Sequence, residues 1–255
     1  MTFPYFREFD FAKKLIKRTY AHLSSKPLSA SIKADESIVT NLDVQLEKTL
    51  IENIKRKFTL DNFLTEETSN KTNLTDRTWV IDPIDGTAFF TRHSNFFTMQ
   101  LAFYDKGETQ FSIIYDISQK KLYSAIKGLG AYINGKKITN RKQVEYGRCN
   151  VCICGSPAKW GEVTASNFEK IYKNARSHYL SPQFLIINSS GYAYTLLANG
   201  TIDFLIEAVK TPWDYMPGDL LVKELSASYH FFDNTRYYSF CPELDKFLDL
   251  DKAGE

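Results

Sequence analysis

Apolar residues recur every three or four positions in two stretches near the start of the chain, at residues 5–23 and 42–58. This spacing places the apolar side chains on one face of an α-helix. The recurring positions are Phe9, Ala12, Ile16, Tyr20 and Leu23 in the first stretch, and Leu42, Leu46, Leu50, Ile54 and Phe58 in the second. The pattern therefore predicts two amphipathic helices.

From residue 78 onward the pattern changes to short runs rich in β-branched and aromatic residues: TWVID, FFTMQLAFYD, TQFSIIYDI and KKLYSAI. Glycines separate these runs, and Asn134-Gly135 is a strong signal for a tight turn between strands. Because neighbouring runs are joined by short turns, the pattern predicts a meander of antiparallel strands.

Beyond residue 148, predicted strands alternate with predicted helices. The strands are CNVCIC, QFLII and TIDFLIE, and the helices lie near residues 164–175, 190–199 and 215–226. Such alternation predicts a second sheet with helices packed on it, and hence a layered α/β fold. The sequence shows no linker, so we expect a single domain over residues 1–255, with an N-terminal α+β half (about 1–147) and a C-terminal α/β half (about 148–255).

Composition and charge argue against several classes of protein. With 255 residues, of which 43% are apolar, the chain is long enough for a sizeable core. The net charge is +2 and the basic residues form no long run, so no nucleic-acid partner is indicated. The start of the chain lacks the pattern of a secretory signal, and no apolar stretch is long enough to span a bilayer. We therefore expect a cytoplasmic protein that does not contact membranes.

Three of the four cysteines lie within Cys149–Cys154, close enough in sequence to raise the question of a metal site. No histidine or second cysteine pair lies nearby, and Cys152 and Cys154 would share one face of a strand. We therefore favour a structural strand over a zinc or redox site.

Candidate chemistry begins in the segment WVIDPIDGTAFF, residues 79–90. Asp82 directly follows three apolar residues, which places it at the end of a strand that we expect to be buried. Pro83 cannot donate a ladder hydrogen bond, so strand pairing is predicted to stop there. Asp85-Gly86-Thr87 then predicts a turn in which Asp85 caps a helix, with the free N–H groups of that helix facing an anion.

Two neighbouring carboxylates raise each other's pKa unless a cation lies between them. Mg²⁺ binds carboxylates, waters and phosphate oxygens, and the carbonyl of Ile84 offers one further ligand. We therefore interpret Asp82 and Asp85 as metal ligands beside a phosphate site at Gly86 and Thr87. The alternative is an ordinary polar turn, because Asp, Pro and Gly are the commonest turn residues.

Three further acidic positions are candidates, and each has a structural alternative. Glu66-Glu67 could also be the solvated start of a helix. Asp214 is predicted to cap a helix that has Pro217 in its first turn, and it is also a candidate ligand. Thr40 and Asp43 lie at the start of the second helix, where capping alone would account for them.

Taken in order, these segments closely resemble the signature of the inositol monophosphatase family of magnesium-dependent phosphatases. The signature is a glutamate pair, then D-P-x-D-G-T, then a distant W-D, which appear here as Glu66-Glu67, residues 82–87 and Trp213-Asp214. The similarity covers roughly residues 5–225, with weaker matches that include Lys33-Ala34-Asp35. It implies a five-layered αβαβα sandwich of the inositol monophosphatase/fructose-1,6-bisphosphatase type and hydrolysis of a phosphate monoester.

The resemblance also implies a metal site with two or three Mg²⁺ ions. Glu66, Asp82 and the carbonyl of Ile84 would hold the first ion. Asp82, Asp85 and Asp214 would hold the second. Inhibition by lithium, a trait of the family, is expected from the intact metal residues.

The implied catalytic residues are Thr87, Asp43 and Glu66. Thr87 and Asp43 would orient the nucleophilic water, and Glu66 would also help to hold a third, weaker ion. The N–H groups of Gly86 and Thr87 would bind the phosphate, and Glu207 would contact a substrate hydroxyl. Because many members of the family are dimeric, a homodimer is one expected assembly.

The sequence departs from the family at residues 188–194, where members commonly carry an arginine followed by Gly-Ser-Ala-Ala. These positions shape the substrate pocket, so several substrates are considered. Inositol monophosphate is the first, and histidinol phosphate, fructose 1,6-bisphosphate and 3'-phosphoadenosine 5'-phosphate are the alternatives. A protein of the same fold that binds or regulates without turnover is a further alternative.

Overall fold

The computed structural model describes residues 3–23, 28–34, 36–69, 73–139, 141–156, 160–177, 183–209, 211–232 and 234–248. The α-helices within these residues are α1 (Phe6–Leu23), α2 (Asn41–Lys57), α3 (Thr87–Phe90), α4 (Glu162–Ser177), α5 (Ser190–Asn199) and α6 (Pro212–Lys223). Two of the strands, β1 (Ala30–Ile32) and β2 (Ile38–Thr40), form a separate antiparallel pair.

The first large sheet is mainly the predicted antiparallel meander. Its strands, in spatial order, are β3 (Asn62–Thr65), β4 (Thr78–Asp85), β5 (Thr98–Asp105), β6 (Glu108–Asp116), β7 (Lys121–Ile126), β8 (Gly130–Ile133) and β9 (Lys136–Lys137). Strand β3 pairs with β4 in parallel, and the other neighbours are antiparallel. Strand β3 and the β1–β2 pair were not predicted.

The second sheet places β10 (Val151–Cys154) between β11 (Phe184–Ile187) and β12 (Phe204–Glu207), all in parallel. Strands β14 (Thr235–Ser239) and β13 (Ser228–Phe232) extend the sheet beyond β12 as an antiparallel hairpin, which was not predicted. All four residues of β10 are buried, including Cys152 and Cys154. The interpretation of the cysteine-rich segment as a structural strand is therefore confirmed.

The packing of the helices produces five layers. Helices α1 and α2 share a buried apolar cluster with the outer face of the first sheet, and α5 and α6 fill the space between the two sheets. Helix α4 packs on the outer face of the second sheet. The predicted αβαβα sandwich is confirmed. Within the described residues, no helix combines the length and apolarity that crossing a membrane requires.

Strand β4 leads from the core to the candidate chemistry. Its residue Trp79 is fully buried, contacts the rings of Phe58 and Phe103, and donates its indole N–H to Asp61 over 2.8 Å. Burial of a side chain of this size stabilises the fold by roughly 2–3 kcal/mol before the aromatic contacts are counted. This anchor fixes the position of the strand on which Asp82 lies three residues later.

Strand β4 does not end at Asp82, so that prediction is wrong. The strand continues through Pro83 to Asp85, and its register with β5 shifts between Asp82 and Asp85. Such a shift is a bulge, and a bulge is one of the few places in a sheet where the missing N–H of proline is tolerated. The bulge interrupts the regular alternation of the strand, and both aspartates are buried.

The predicted start of α6 is also wrong by about one turn. Thr211 is the N-cap residue, Pro212 occupies the first helical position, and Asp214 lies inside the first turn. Pro217 is therefore in the second turn, within the helix. Proline at the first position is favourable because that N–H has no intrahelical acceptor, and Pro212 rather than Pro217 fills this role.

Helices α5 and α6 approach closely at Gly218, because the ring of Tyr194 lies directly over this glycine. A Cβ atom at position 218 would be 1.9 Å from Cδ2 of Tyr194, so only glycine fits without rearrangement. The absence of a side chain at this position thus allows the two central helices to pack together.

We expect Gly218→Ala to destabilise the protein by about 1–3 kcal/mol, because overpacking outweighs the roughly 1 kcal/mol gained in helix propensity. Urea unfolding of the wild type and the variant measures this difference. In a Tyr194→Ala background the same change should become stabilising. An equal cost in both backgrounds would contradict the close contact.

Candidate active site

A cleft of about 860 Å³ opens where the C-terminal ends of β4, β10 and β12 meet the starts of α3, α5 and α6. The β1–β2 hairpin and the segment after β3 close one side of it. The ends of strands from both sheets and the first residues of three helices therefore lie around one concave site. Each predicted metal ligand lies in its lining.

Three carboxylates form a cluster in this cleft. Oxygens of Asp82 and Asp85, from β4, and of Asp214, from α6, all lie within 4.8 Å of one another. Burial raises the pKa of Asp82 well above its usual value, and the negative charges of Glu66, Asp85 and Asp214 raise it further. The proximity that the sequence predicted is therefore present, although β4 and α6 are distant in sequence.

The cluster fits a divalent cation. The Asp82 Oδ1 atom is buried and has no hydrogen-bond partner among the described residues. Buried oxygens of like charge without a donor are costly unless a cation neutralises them. Carboxylates at this spacing, with a backbone carbonyl nearby at Ile84, are the hard oxygen ligands that Mg²⁺ binds.

Asp85 accepts hydrogen bonds from the start of α5 and from Thr98 on β5. Its Oδ2 atom accepts from Ser189 Oγ at 2.6 Å, from the Gly191 N–H at 2.9 Å and from Thr98 Oγ1 at 3.1 Å. Its Oδ1 atom accepts from the Ser190 N–H at 3.0 Å. These donors and the positive end of the helix dipole offset part of the burial that raises the pKa of Asp85.

The prediction that Asp85 caps its own following helix is wrong. Gly86 is the N-cap residue of α3, with no side-chain cap, and its φ of +84° requires the left-handed conformation that glycine adopts easily. A Cβ atom here would lie 2.7 Å from the carbonyl oxygen of Phe96. Asp85 instead serves the start of α5, about a hundred residues further along the chain.

Thr87 and Asp43 are in contact, as the resemblance implies. The Thr87 hydroxyl lies 2.8 Å from the carbonyl oxygen of Ile84 and 3.2 Å from Asp43 Oδ1. The other oxygen of Asp43 accepts from the backbone N–H and the hydroxyl of Thr40, which completes a capping box at the start of α2. Asp43 therefore caps the helix and also faces the cleft residue Thr87.

Glu66 lines the cleft but is not a member of the three-carboxylate cluster. Lys33, at the end of the β1 segment, donates to Glu66 at 3.0 Å and to Glu67 at 2.9 Å. Burial raises the pKa of Glu66 to about 8, with Lys33 opposing the shift. Lys33 was indicated only by the weak family match at Lys33-Ala34-Asp35, and Asp35 lies outside the described residues.

Glu207 is not brought to the cleft. It lies at the end of β12 and is fully buried, and one carboxylate oxygen accepts a hydrogen bond from the hydroxyl of Tyr194. The cleft wall next to it is formed by Ala208. A role for Glu207 at a substrate hydroxyl therefore has no support from its position here, because Tyr194 holds the carboxylate in the core.

Several residues in or next to the cleft were not singled out from the sequence. Ser189 and Gly191 hold Asp85 from behind, and Asn188, Ser190 and Arg92 line the wall. Four of these five lie in the segment 188–194, where the sequence departs from the family pattern. The departure from the family pattern was therefore the sequence signal that could have indicated these four residues.

The family of this chain follows from a comparison with known protein families. The sequence model of the inositol monophosphatase family matches residues 7–239 of this chain. The chain belongs to the inositol monophosphatase family.

The relatives carry different names. An inositol-1-monophosphatase of Bacillus subtilis (strain 168) is 30% identical over 233 residues, covering 86% of this chain and 83% of that protein. Nus factor SuhB of Escherichia coli (strain K12) is 29% identical over 217 residues, which cover 84% of this chain and 78% of that protein. A solved IMPase/NADP phosphatase complexed with Mg²⁺ and phosphate has a TM-score of 0.78 at 22% identity, covering 96% and 94%.

These comparisons support a phosphatase, while the substrate stays a proposal. Since one relative is named as a Nus factor, the expected absence of a nucleic-acid partner also stays a prediction. The same holds for the homodimer, the compartment and the number of ions.

Asparagine substitutions at the two β4 aspartates should separate stability from metal binding. Asp82→Asn removes a buried charge whose Oδ1 has no donor, so the metal-free variant should unfold at or above the wild-type temperature. Asp85→Asn weakens the bonds from α5, so it should lose roughly 1–3 kcal/mol. Both should lose most of the rise in unfolding temperature that Mg²⁺ gives the wild type.

Thermal unfolding with and without Mg²⁺ measures these effects. Asp116→Asn is the matched control, because Asp116 is fully buried and also has an oxygen without a partner in the described structure, but it lies outside the cleft. It should keep the full magnesium effect. A complete magnesium effect in Asp82→Asn would contradict the assignment.

Proposed function

We propose that this protein is a magnesium-dependent phosphatase that hydrolyses a small-molecule phosphate monoester. The observation that carries the proposal is the meeting, in one cleft, of the three-carboxylate cluster and the Thr87–Asp43 pair. Family membership and the relative named inositol-1-monophosphatase make inositol monophosphate the first substrate to test. Lithium is expected to inhibit it.

Asp82, Asp85 and Asp214, with Glu66 and the Ile84 carbonyl, would hold the magnesium ions. Bound there, Mg²⁺ supplies neutralisation of the phosphate charge and a lowered pKa of the attacking water. Asp85 Oδ1 accepts fewer hydrogen bonds than Oδ2, so it is the oxygen with capacity left for an ion.

The phosphate is bound by the chain at the start of α3. The first N–H groups of a helix have no intrahelical acceptor, so those of Gly86 and Thr87 are directed at an anion in front of them. Gly86 lies at this position because a Cβ atom would be 2.7 Å from the carbonyl oxygen of Phe96 and 2.9 Å from Cβ of Ser189.

Thr87 and Asp43 accept the proton of the attacking water. Water attacks the phosphorus atom, the ester P–O bond breaks, and the proton of the water passes to the Thr87 hydroxyl as the hydroxyl proton moves to Asp43 Oδ1. The departing alkoxide takes a proton from solvent. Burial raises the pKa of Asp43, which makes its carboxylate a stronger base than an exposed aspartate.

A substrate panel tests the class of reaction. We expect phosphate release from at least one of inositol 1-phosphate, histidinol phosphate, fructose 1,6-bisphosphate and 3'-phosphoadenosine 5'-phosphate, and no release once magnesium is chelated. Asp82→Asn should abolish the release while remaining folded. Release that persists in chelator would contradict the metal assignment. A folded protein that releases phosphate from none of the four would favour the non-catalytic alternative.

Two substitutions at Thr87 test the proton pathway. Thr87→Val keeps the shape and removes the hydroxyl, so kcat should fall by about 10²–10⁴. Thr87→Ser keeps the hydroxyl and should stay within about tenfold of the wild type. Both variants should keep the rise in unfolding temperature with Mg²⁺, because the carboxylates are unchanged. Equal kcat values for the two variants would remove the hydroxyl from the mechanism.

A further inference from the structure

The cleft contains a positive charge that has no acidic partner in the described structure. Its cationic lining residues, within that part of the chain, are Lys33 and Arg92. Lys33 is neutralised by Glu66 and Glu67. Arg92 donates one N–H to the carbonyl oxygen of Ala88 over 3.0 Å, and no described carboxylate pairs with it. Its remaining donors are available to a ligand.

The backbone contact places this guanidinium at the far end of α3 from the predicted phosphate site. Helix carbonyls point towards the C-terminus, so a group bonded to the Ala88 carbonyl lies on the opposite side of the turn from the N–H groups of Gly86 and Thr87. One helical turn separates the two ends by roughly 5 Å. Since Arg92 also lines the cleft, a group that extends beyond the reacting phosphate by about this distance would reach it.

The cleft wall next to the second sheet offers no exposed charge, among the lining residues named here, that would repel a second negative group. Its lining residues include Asn188, Ser190 and Ala208, which are neutral. Glu207, the acidic residue at the end of β12, is fully buried and accepts a hydrogen bond from the hydroxyl of Tyr194. Tyr194 in turn lies 3.1 Å from the hydroxyl of Tyr238, so the carboxylate is held within a buried polar network.

We propose that the cleft selects a phosphate monoester whose alcohol part carries a second negative group, and that Arg92 binds this group. The inference rests on the proposed phosphatase function and narrows its substrate class away from inositol monophosphate. A guanidinium offers paired N–H donors that match the two oxygens of a phosphate or carboxylate. Arg92 is thus a specificity-determining residue.

Matched substrate pairs test this assignment. Fructose 1,6-bisphosphate and fructose 1-phosphate differ in the second phosphate, and 2-phosphoglycerate and glycerol 2-phosphate differ in a carboxylate. The wild type should favour the doubly anionic member of a pair by about tenfold or more in kcat/KM, the scale of one charge-assisted contact. The preferred pair identifies the second group as phosphate or carboxylate.

Arg92→Gln should remove most of this preference, mainly by raising KM for the doubly anionic substrate. Arg92→Lys keeps the charge without the paired donors and should retain part of it. Arg56→Gln is the control, because Arg56 is exposed on α2 and lies outside the cleft lining. It should keep the wild-type ratio.

Three results would overturn the inference: no preference in the wild type, an unchanged ratio in Arg92→Gln, or an equal rise in KM for both members of a pair. The last would place Arg92 at the reacting phosphate instead. A wild type that hydrolyses none of these esters would defeat the proposed function. In that case, equilibrium binding of fructose 1,6-bisphosphate in the presence of Mg²⁺ tests the anion site directly. About tenfold weaker binding by Arg92→Gln than by the wild type would support the site, and equal binding would overturn it.

Discussion

The hydrogen bonds between Asp85 and the start of α5 are the interaction on which the site depends. They join the end of a strand in the first sheet to a helix between the two sheets. The bulge after Asp82 shifts the register of β4 ahead of Asp85, and the core anchor at Trp79 holds the strand in place. This link therefore fixes the position of Asp85 relative to the start of α5, beside the carboxylate cluster.

The two aspartates of β4 show how stability and chemistry are divided between neighbouring positions. Asp85 accepts hydrogen bonds from four donors at 3.1 Å or less, so replacing it would leave these buried donors without an acceptor. Asp82 keeps a buried oxygen without a donor among the described residues, which lowers stability. A residue that weakens the fold, close to one that structural donors require, is expected where function has set the choice of side chain.

The layers and the antiparallel meander could be predicted because their signals are periodic. Asp82 and Asp85 could be paired because they lie in one short motif, and the family resemblance joined Asp214 to them. The errors have two causes. Asp85 was assigned to the helix that follows it because its partners at the start of α5 lie about a hundred residues away. Pro217 was placed in the first turn of α6 because Asp214 was taken as the cap, whereas Thr211 and Pro212 begin the helix. Glu207 lies in the core, where it accepts a hydrogen bond from Tyr194. No local sequence pattern around either residue indicates this contact.

The capping box of α2 has a consequence for the dynamics of the site. The carboxylate that closes the first turn of α2 also accepts a hydrogen bond from Thr87, so a displacement of Asp43 would remove both contacts together. Helix ends open locally at a lower free energy than the whole domain. Opening of this single turn would move Asp43 away from Thr87 while both sheets stay intact, so the site can lose this contact without unfolding of the whole domain.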